Sequence, residues 1–440
     1  METISIKRMA SFASANPRII RAASPTELIY ISTGTTVVSR SRISGAVSRK
    51  QFEQAASHLE AAYGILRAAV EDGRFVQRAD DRSSIASWRS SQSVSDDDLY
   101  DALLNARLDT SARVYEIHVI AALDALDIFL LSSHAVTDAT SLIEIHASLA
   151  YICDCVVGGE APALERQSFP RPIDAAVSDA LSSLPAGAAA DNTMQYSGAY
   201  AEIPPRGSSD RRPLTHRLER IVIDAEQMHR ISAFGHLYGS SVHSLLLAAF
   251  ALVIQDIAPG KPRQILMRSN VDLRRRLEPV VSTELVFSAI SARVTPVADL
   301  GRPLFEIARH IFKDIHEACA DGSVLREYIN YPNTFGSAQQ APVALSVSDM
   351  QAVRFRRPTW RLKVTGFEYA LGWQKKFPNV SVSVYEGTLV ANIVYVEEFI
   401  DPAVMQTISE RFVACLGAVA TASGSSAVDQ ISFREIAGLE

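Results

Sequence analysis

Leu126-Asp127-Ile128-Phe129-Leu130-Leu131-Ser132-Ser133-His134-Ala135-Val136-Thr137-Asp138-Ala139-Thr140-Ser141 is the stretch on which the reading of this chain turns. An apolar run ends abruptly at Ser-Ser-His, and an aspartate stands four residues after the histidine. Leu142, Ile145, Leu149 and Ile152 then recur at spacings of three and four, which is one face of a helix. The pattern places His134 at the end of a buried strand and Asp138 at the cap of the helix that follows.

Upstream, Ser24-Pro25-Thr26-Glu27 offers a cap, a proline at the first helical position and a glutamate three after the cap, a short helix start. Residues 28–47 are rich in Val, Ile, Ser and Thr and read as strand material. Ser48-Arg49-Lys50-Gln51 is a second capping box, opening a helix whose stripe is Phe52, Ala56, Leu59, Tyr63, Leu66 and Val70. Asp72-Gly73 closes it, and Arg74-Phe75-Val76-Gln77 is a short strand. Residues 79–98 read as a polar surface loop, and Val114–Ile120 as a strand in which His118 is a packing residue. Residues 1–22 lack a pattern and read as a flexible arm.

Downstream, a helix is expected over 139–157, stopped by Gly158-Gly159. Residues 158–214 are broken by Pro170, Pro172, Pro185, Pro204 and Pro205 and read as a linker that contains the domain boundary. The chain restarts with Ile221-Val222-Ile223 as a strand, then a helix capped by Asp224 with Gln227. Ser240 or Ser241 caps a helix that is apolar around much of its circumference. Ile265–Arg274 reads as a strand entering a charged turn, and Leu304, Ile307, Ala308, Ile311, Ile315 and Cys319 mark a helix behind Pro303. Val343–Val347 is a short strand. Val380–Tyr385 alternates, Glu386-Gly387 turns and Leu389–Tyr395 returns as a hairpin; a helix over about 402–420 follows.

The chain has 440 residues, a length for two domains, and 48% hydrophobic with 21% charged residues is the composition of a globular protein. A net charge of −6 without a concentrated basic face argues against general nucleic-acid binding. Cys153, Cys155, Cys319 and Cys415 have neither zinc nor disulfide spacing and read as reduced thiols. His229, His236 and His243 fall at intervals of seven, but Gly239 divides them between two helices, so no metal site is expected. No window approaches the roughly 18 unbroken apolar residues of a membrane span. A cytoplasmic protein is the expectation.

On its own terms the His134 motif allows a structural histidine at a strand end or a lone general base. A metal site would need further ligands nearby, and a hydrolase relay would need a G-x-S-x-G elbow that the chain lacks. A general base needs only a substrate proton within reach and something to hold its loop.

Ser133-His134-Ala135-Val136-Thr137-Asp138-Ala139 resembles the HHxxxDG motif of the chloramphenicol acetyltransferase-like superfamily, which includes peptide-synthetase condensation domains, plant BAHD acyltransferases and the mycobacterial acyltransferases that esterify phthiocerol. Ser24-Pro25-Thr26-Glu27 resembles the family's Ser-Pro-x-Glu, and Gly64-Ile65-Leu66-Arg67-Ala68 the end of its first long helix. Asn270-Val271-Asp272-Leu273-Arg274-Arg275-Arg276-Leu277, followed by Pro279 and Ser282-Thr283-Glu284, is most similar to the phthiocerol-type transferases. The resemblance spans about residues 24–420.

It implies an α/β fold of two similar lobes in a V, each a mixed sheet with flanking helices, with an active-site tunnel between them. The lobes would span 23–170 and 215–440, joined by a crossover over 171–214. It implies a stand-alone acyltransferase in which His134 takes the proton of an acceptor hydroxyl as the acceptor attacks a thioester carbonyl. The donor would be an acyl-CoA or a phosphopantetheinyl acyl carrier protein, a co-substrate rather than a bound cofactor. The acceptor would be an alcohol of a polyketide, lipid or other specialised metabolite; an amine acceptor, or a catalytically silent scaffold that binds a carrier protein, are the alternatives. Asp138 would be structural and pair with Arg274. Ser133 replaces the first histidine, as BAHD-type enzymes tolerate, and Ala139 replaces glycine where the chain would meet the thioester or its oxyanion. Ala370-Leu371-Gly372-Trp373-Gln374 only partly echoes the plant Asp-Phe-Gly-Trp-Gly motif. A monomer is expected.

Overall fold

The computed structural model describes residues 18–78, 83–184, 199–207, 214–335, 341–372 and 376–422. Most of the expected arm over 1–22, and Trp373-Gln374 of the plant-motif echo, lie outside them. The first half contains β1 (Ile19–Ala22), α1 (Pro25–Thr33), β2 (Thr36–Ser44), α2 (Arg49–Ala62), β3 (Ala68–Glu71), β4 (Arg74–Gln77), β5 (Ile85–Ser90), α3 (Asp96–Leu104), β6 (Tyr115–Ala121), β7 (Ala125–Ser133), α4 (Ala139–Val157) and α5 (Asp174–Ser182). The second contains β8 (His216–Ile223), α6 (Ala225–Leu237), α7 (Val242–Ile257), β9 (Ile265–Asp272), β10 (Ile290–Val297), α8 (Leu304–Ala320), α9 (Ser323–Thr334), β11 (Leu345–Ala352), β12 (Lys363–Gly372), β13 (Asn379–Tyr385), β14 (Thr388–Val396) and α10 (Pro402–Ala422).

Each lobe is a mixed sheet with helices against it. The first sheet runs β12-β2-β7-β6-β5, and the second β10-β9-β11-β13-β14-β8; a small sheet β1-β4-β3 flanks the first. The first lobe's core gathers Phe52 and Leu59 of α2, Ile128 of β7, and Leu142 and Ile145 of α4. The second gathers the whole length of α7 with α8, α10 and the strands between them. On length and hydropathy alone α4 and α10 could each cross a bilayer, but 83% of the apolar window of α4 and 50% of that of α10 is buried inside the protein. Their apolar surface is used in the lobes.

β12 belongs to the second half of the sequence but pairs antiparallel with β2 in the first sheet, Gly372 opposite Thr36. The segment from 215 onward therefore builds one sheet and lends a strand to the other. Glu368 on β12 sits at the junction. It accepts from Arg40 of β2 (3.1 Å), Arg220 of β8 (3.0 Å) and Asn392 of β14 (3.0 Å), tying both sheets through one carboxylate.

Several sequence expectations change. Residues 28–33 are helix rather than strand: the Ser24–Glu27 capping box and Gly34 in the left-handed conformation bracket a single short helix, and the two ends outweigh the β-branched composition. The helix opened by Ser48 ends at Ala62, short of Val70. Leu66 lies in a 3₁₀ turn over Gly64–Arg67 and Val70 in β3, yet Leu59, Tyr63, Leu66 and Val70 are all buried, so the stripe marks the core and not the element. Ile19–Ala22 is a strand, held on β4. The loop expected over 79–98 contains β5 and the start of α3, and the linker contains α5. The hairpin stands, with Glu386 (φ 47°) and Gly387 (φ 85°) forming the left-handed pair that a tight turn needs.

Candidate active site

His134 lies where β7 gives way to α4. Val136 and Thr137 both donate their backbone N–H to Ser133 O (3.1 and 3.3 Å), folding the chain into one turn. The Ser132 and Thr137 hydroxyls meet at 2.7 Å across it. His134 N–H donates to Thr35 O at the head of β2 (3.0 Å). Its Nδ1 lies 2.7 Å from Thr137 O, a bond that fixes the proton on Nδ1 and leaves Nε2 as the lone-pair nitrogen. Tyr30 of α1 stacks on the imidazole, with 4.5 Å between centroids and 28° between planes. Burial holds the imidazole below its ordinary pKa, against the Thr137 carbonyl and the Asp138 charge, which push the other way. At neutral pH the ring is an unprotonated base.

Asp138 does different work. It caps α4, its Oδ1 accepting from Ser141 N–H (2.9 Å). Arg274 forks onto it, Nη1 to Oδ2 at 2.7 Å and Nη2 to Oδ1 at 3.1 Å, while Ala289 N–H donates to Oδ2 at 2.9 Å. Both side chains are fully buried. Burial alone would raise the carboxyl's pKa, but the Arg274 guanidinium and these N–H groups pull it below the usual carboxylate range. Arg274 continues to Phe287 O (2.7 Å) and Ser141 Oγ (3.0 Å), and Asp272 accepts from its backbone N–H (2.9 Å). Thr140 of α4 adds a bond to Asp272 (2.9 Å). The loop that carries His134 is thus bolted to the second lobe. Of the three adjacent arginines, Arg274 is the buried partner.

His134 faces a crevice between the lobes, walled by Tyr30 from the first half and by Arg268, Asn270, Ser291, Tyr328 and Tyr331 from the second. Its enclosed volume is about 20 Å³, room for a water. Ser133 and Ala139 are not in its wall. The Ser133 hydroxyl accepts from Ala135 N–H within the turn (3.4 Å), and Ala139 is packed in the first lobe's core. Among the described residues no group of three or more His, Cys, Asp or Glu could hold a metal ion. His118 hydrogen-bonds Ser87 (3.0 Å), and His243 bonds Ser269 (3.0 Å).

Tyr30, Arg268, Asn270 and Tyr331 were missed from sequence. Arg268 and Asn270 alternate on β9, so a period-two reading would have put them on one face. Tyr30 was hidden in a helix read as strand. Tyr331 lies on α9, whose internal Pro332 conceals the helix.

A family model described as "Phthiocerol/phthiodiolone dimycocerosyl transferase C-terminus" matches residues 212–411. No curated protein sequence matches the chain. Among solved structures, polyketide synthase associated protein 5 from Mycobacterium tuberculosis aligns with a TM-score of 0.71 at 17% identity, over 91% of this chain and 99% of that one. The first condensation domain of the calcium-dependent antibiotic synthetase, in complex with a substrate analogue, aligns at 0.72 with 14% identity, over 94% and 100%. Trichothecene 15-O-acetyltransferase from Fusarium sporotrichioides aligns at 0.67 with 12% identity, over 94% and 99%. The three share the two-lobed fold with this chain.

Proposed function

We propose that this chain, which has the fold of the chloramphenicol acetyltransferase-like superfamily, is an acyltransferase that moves an acyl group from a thioester to a hydroxyl, with His134 as general base. The observation that carries the reading is the His134 Nδ1 bond to Thr137 O, which keeps the proton on Nδ1 and leaves Nε2 as the basic nitrogen of a ring that lines the crevice between the lobes. As the acceptor oxygen bonds to the thioester carbonyl carbon, its proton passes to Nε2. The C–S bond then breaks, and the imidazolium returns the proton to the leaving thiolate. Asp138 accepts four hydrogen bonds and has no part in proton transfer; it holds the loop.

The donor in this reading is an acyl-CoA or an acyl carrier protein. An amine acceptor would use the same base, and the fold shared with a condensation domain keeps amide formation as the second reading. The hydrogen bond that fixes the His134 tautomer favours a working site over a silent scaffold. Incubation with acyl thioesters and candidate acceptors, followed by mass spectrometry, tests the proposal. His134→Ala is expected to lower product formation by roughly 10²-fold or more. Near-wild-type turnover by a folded His134→Ala protein would remove the histidine from this role.

A further inference from the structure

The crevice before His134 is of mixed character: Ile290, Ala292 and Leu371 give it apolar wall, and its charged and polar side chains gather on β9 and α9. Arg268 and Asn270 leave β9 on the crevice face, while Ser269 between them turns back to His243. The Arg268 guanidinium lies 5.8 Å from the centre of the Tyr331 ring. Tyr331 is 8% exposed, and its hydroxyl is buried without a hydrogen-bond partner. Glu327, one helical turn before Tyr331, also lines the crevice. A long alkyl chain here would strip water from Arg268 and Glu327 and leave the Tyr331 hydroxyl unpaired, which is costly. A guanidinium, a phenol and a carboxamide are together a donor set for anionic oxygens.

We infer that the acceptor admitted to this crevice carries a carboxylate or a phosphate beside its nucleophilic hydroxyl or amine. Arg268 and Tyr331 bind the anion, and Glu327 accepts from a further hydroxyl or ammonium. The inference rests on the acyl-transfer reading and narrows its acceptor to small polar molecules, away from long-chain alcohols.

The test uses the full chain, the acetyl thioester of N-acetylcysteamine as donor, and four acceptors: 3-hydroxybutanoate, glycerol 3-phosphate, methyl 3-hydroxybutanoate and 1-dodecanol. At least one anionic acceptor is expected to exceed the ester and the alkanol in kcat/KM by about tenfold or more. The carboxylate and phosphate arms identify which anion is preferred. Arg268→Met and Tyr331→Phe should each raise KM for the preferred anion about tenfold, with a smaller effect on kcat, so that the preference over the neutral ester collapses. Equal or better turnover of 1-dodecanol, or an unchanged KM in both variants, overturns the inference while leaving acyl transfer intact. If wild type acylates none of the four, saturation-transfer NMR with 3-hydroxybutanoate and glycerol 3-phosphate tests the anion site alone. Binding by wild type and by His134→Ala that is lost in Arg268→Met supports it, and no binding by wild type overturns it.

Discussion

Arg274 Nη1 donates to Asp138 Oδ2 at 2.7 Å across 136 residues of sequence, with both side chains fully buried. The pair joins the cap of α4 to the end of β9. One ion pair thereby ties the turn that holds the candidate base to the second lobe.

Breaking that pair from one side strands a buried charge. Asp138→Ala is expected to destabilise by about 3–5 kcal/mol, including the lost helix cap. Asp138→Leu combined with Arg274→Met should cost clearly less than the sum of the two single changes. Urea unfolding of the four proteins measures the coupling, and additive losses would show that the two residues act independently.

Burial lowers the pKa of His134, so the neutral base persists to more acid pH than a free histidine would allow. In kcat/KM against pH, activity is expected to rise with pH and level off with a midpoint below about 6.5. A midpoint above that value would mean that a different group is titrating.

Tyr30 covers one face of the imidazole and contributes to its burial. Tyr30→Ala should admit water, return the His134 pKa toward its ordinary value and move the acid limb upward. A pH profile superimposable on wild type would show that the stacked ring does not govern the base.

His146 on α4 lies buried between the hydroxyls of Ser39 (2.9 Å) and Ser41 (2.7 Å), and burial pushes its pKa down to about 3. The unfolded chain protonates this histidine near 6.5 and the folded chain does not, so its contribution to stability is present above about pH 6.5 and is lost as pH falls toward 3. The Asp138 carboxyl, with its pKa below 3.8, stays charged over most of that window. His146→Gln should therefore show a shallower fall in thermal midpoint between pH 6.5 and 4.5. An unchanged slope would assign the acid sensitivity to other groups.

Much of this protein could be read from local pattern. The Ser48 and Asp224 caps, the limits of α4, the α7 helix that is apolar around much of its circumference and the β13–β14 turn each depend on a few neighbouring residues, and each stands where the sequence put it. Local pattern failed where two signals competed. β-branched residues sit inside a doubly capped helix in α1, and one buried stripe continues through a helix, a 3₁₀ turn and a strand from Leu59 to Val70.

The sequence by itself determined that His134 ends a core strand and Asp138 opens a helix, because capping and hydrophobic periodicity act within a few residues. The pairing of Arg274 with Asp138 was implied by the family resemblance and not by local pattern; that β12 crosses to the first sheet, and that Arg268 and Tyr331 face His134, were decided only by the packing of the two lobes. Those contacts join residues over a hundred positions apart. Burial and charge pairing select them, and neither has a local signature.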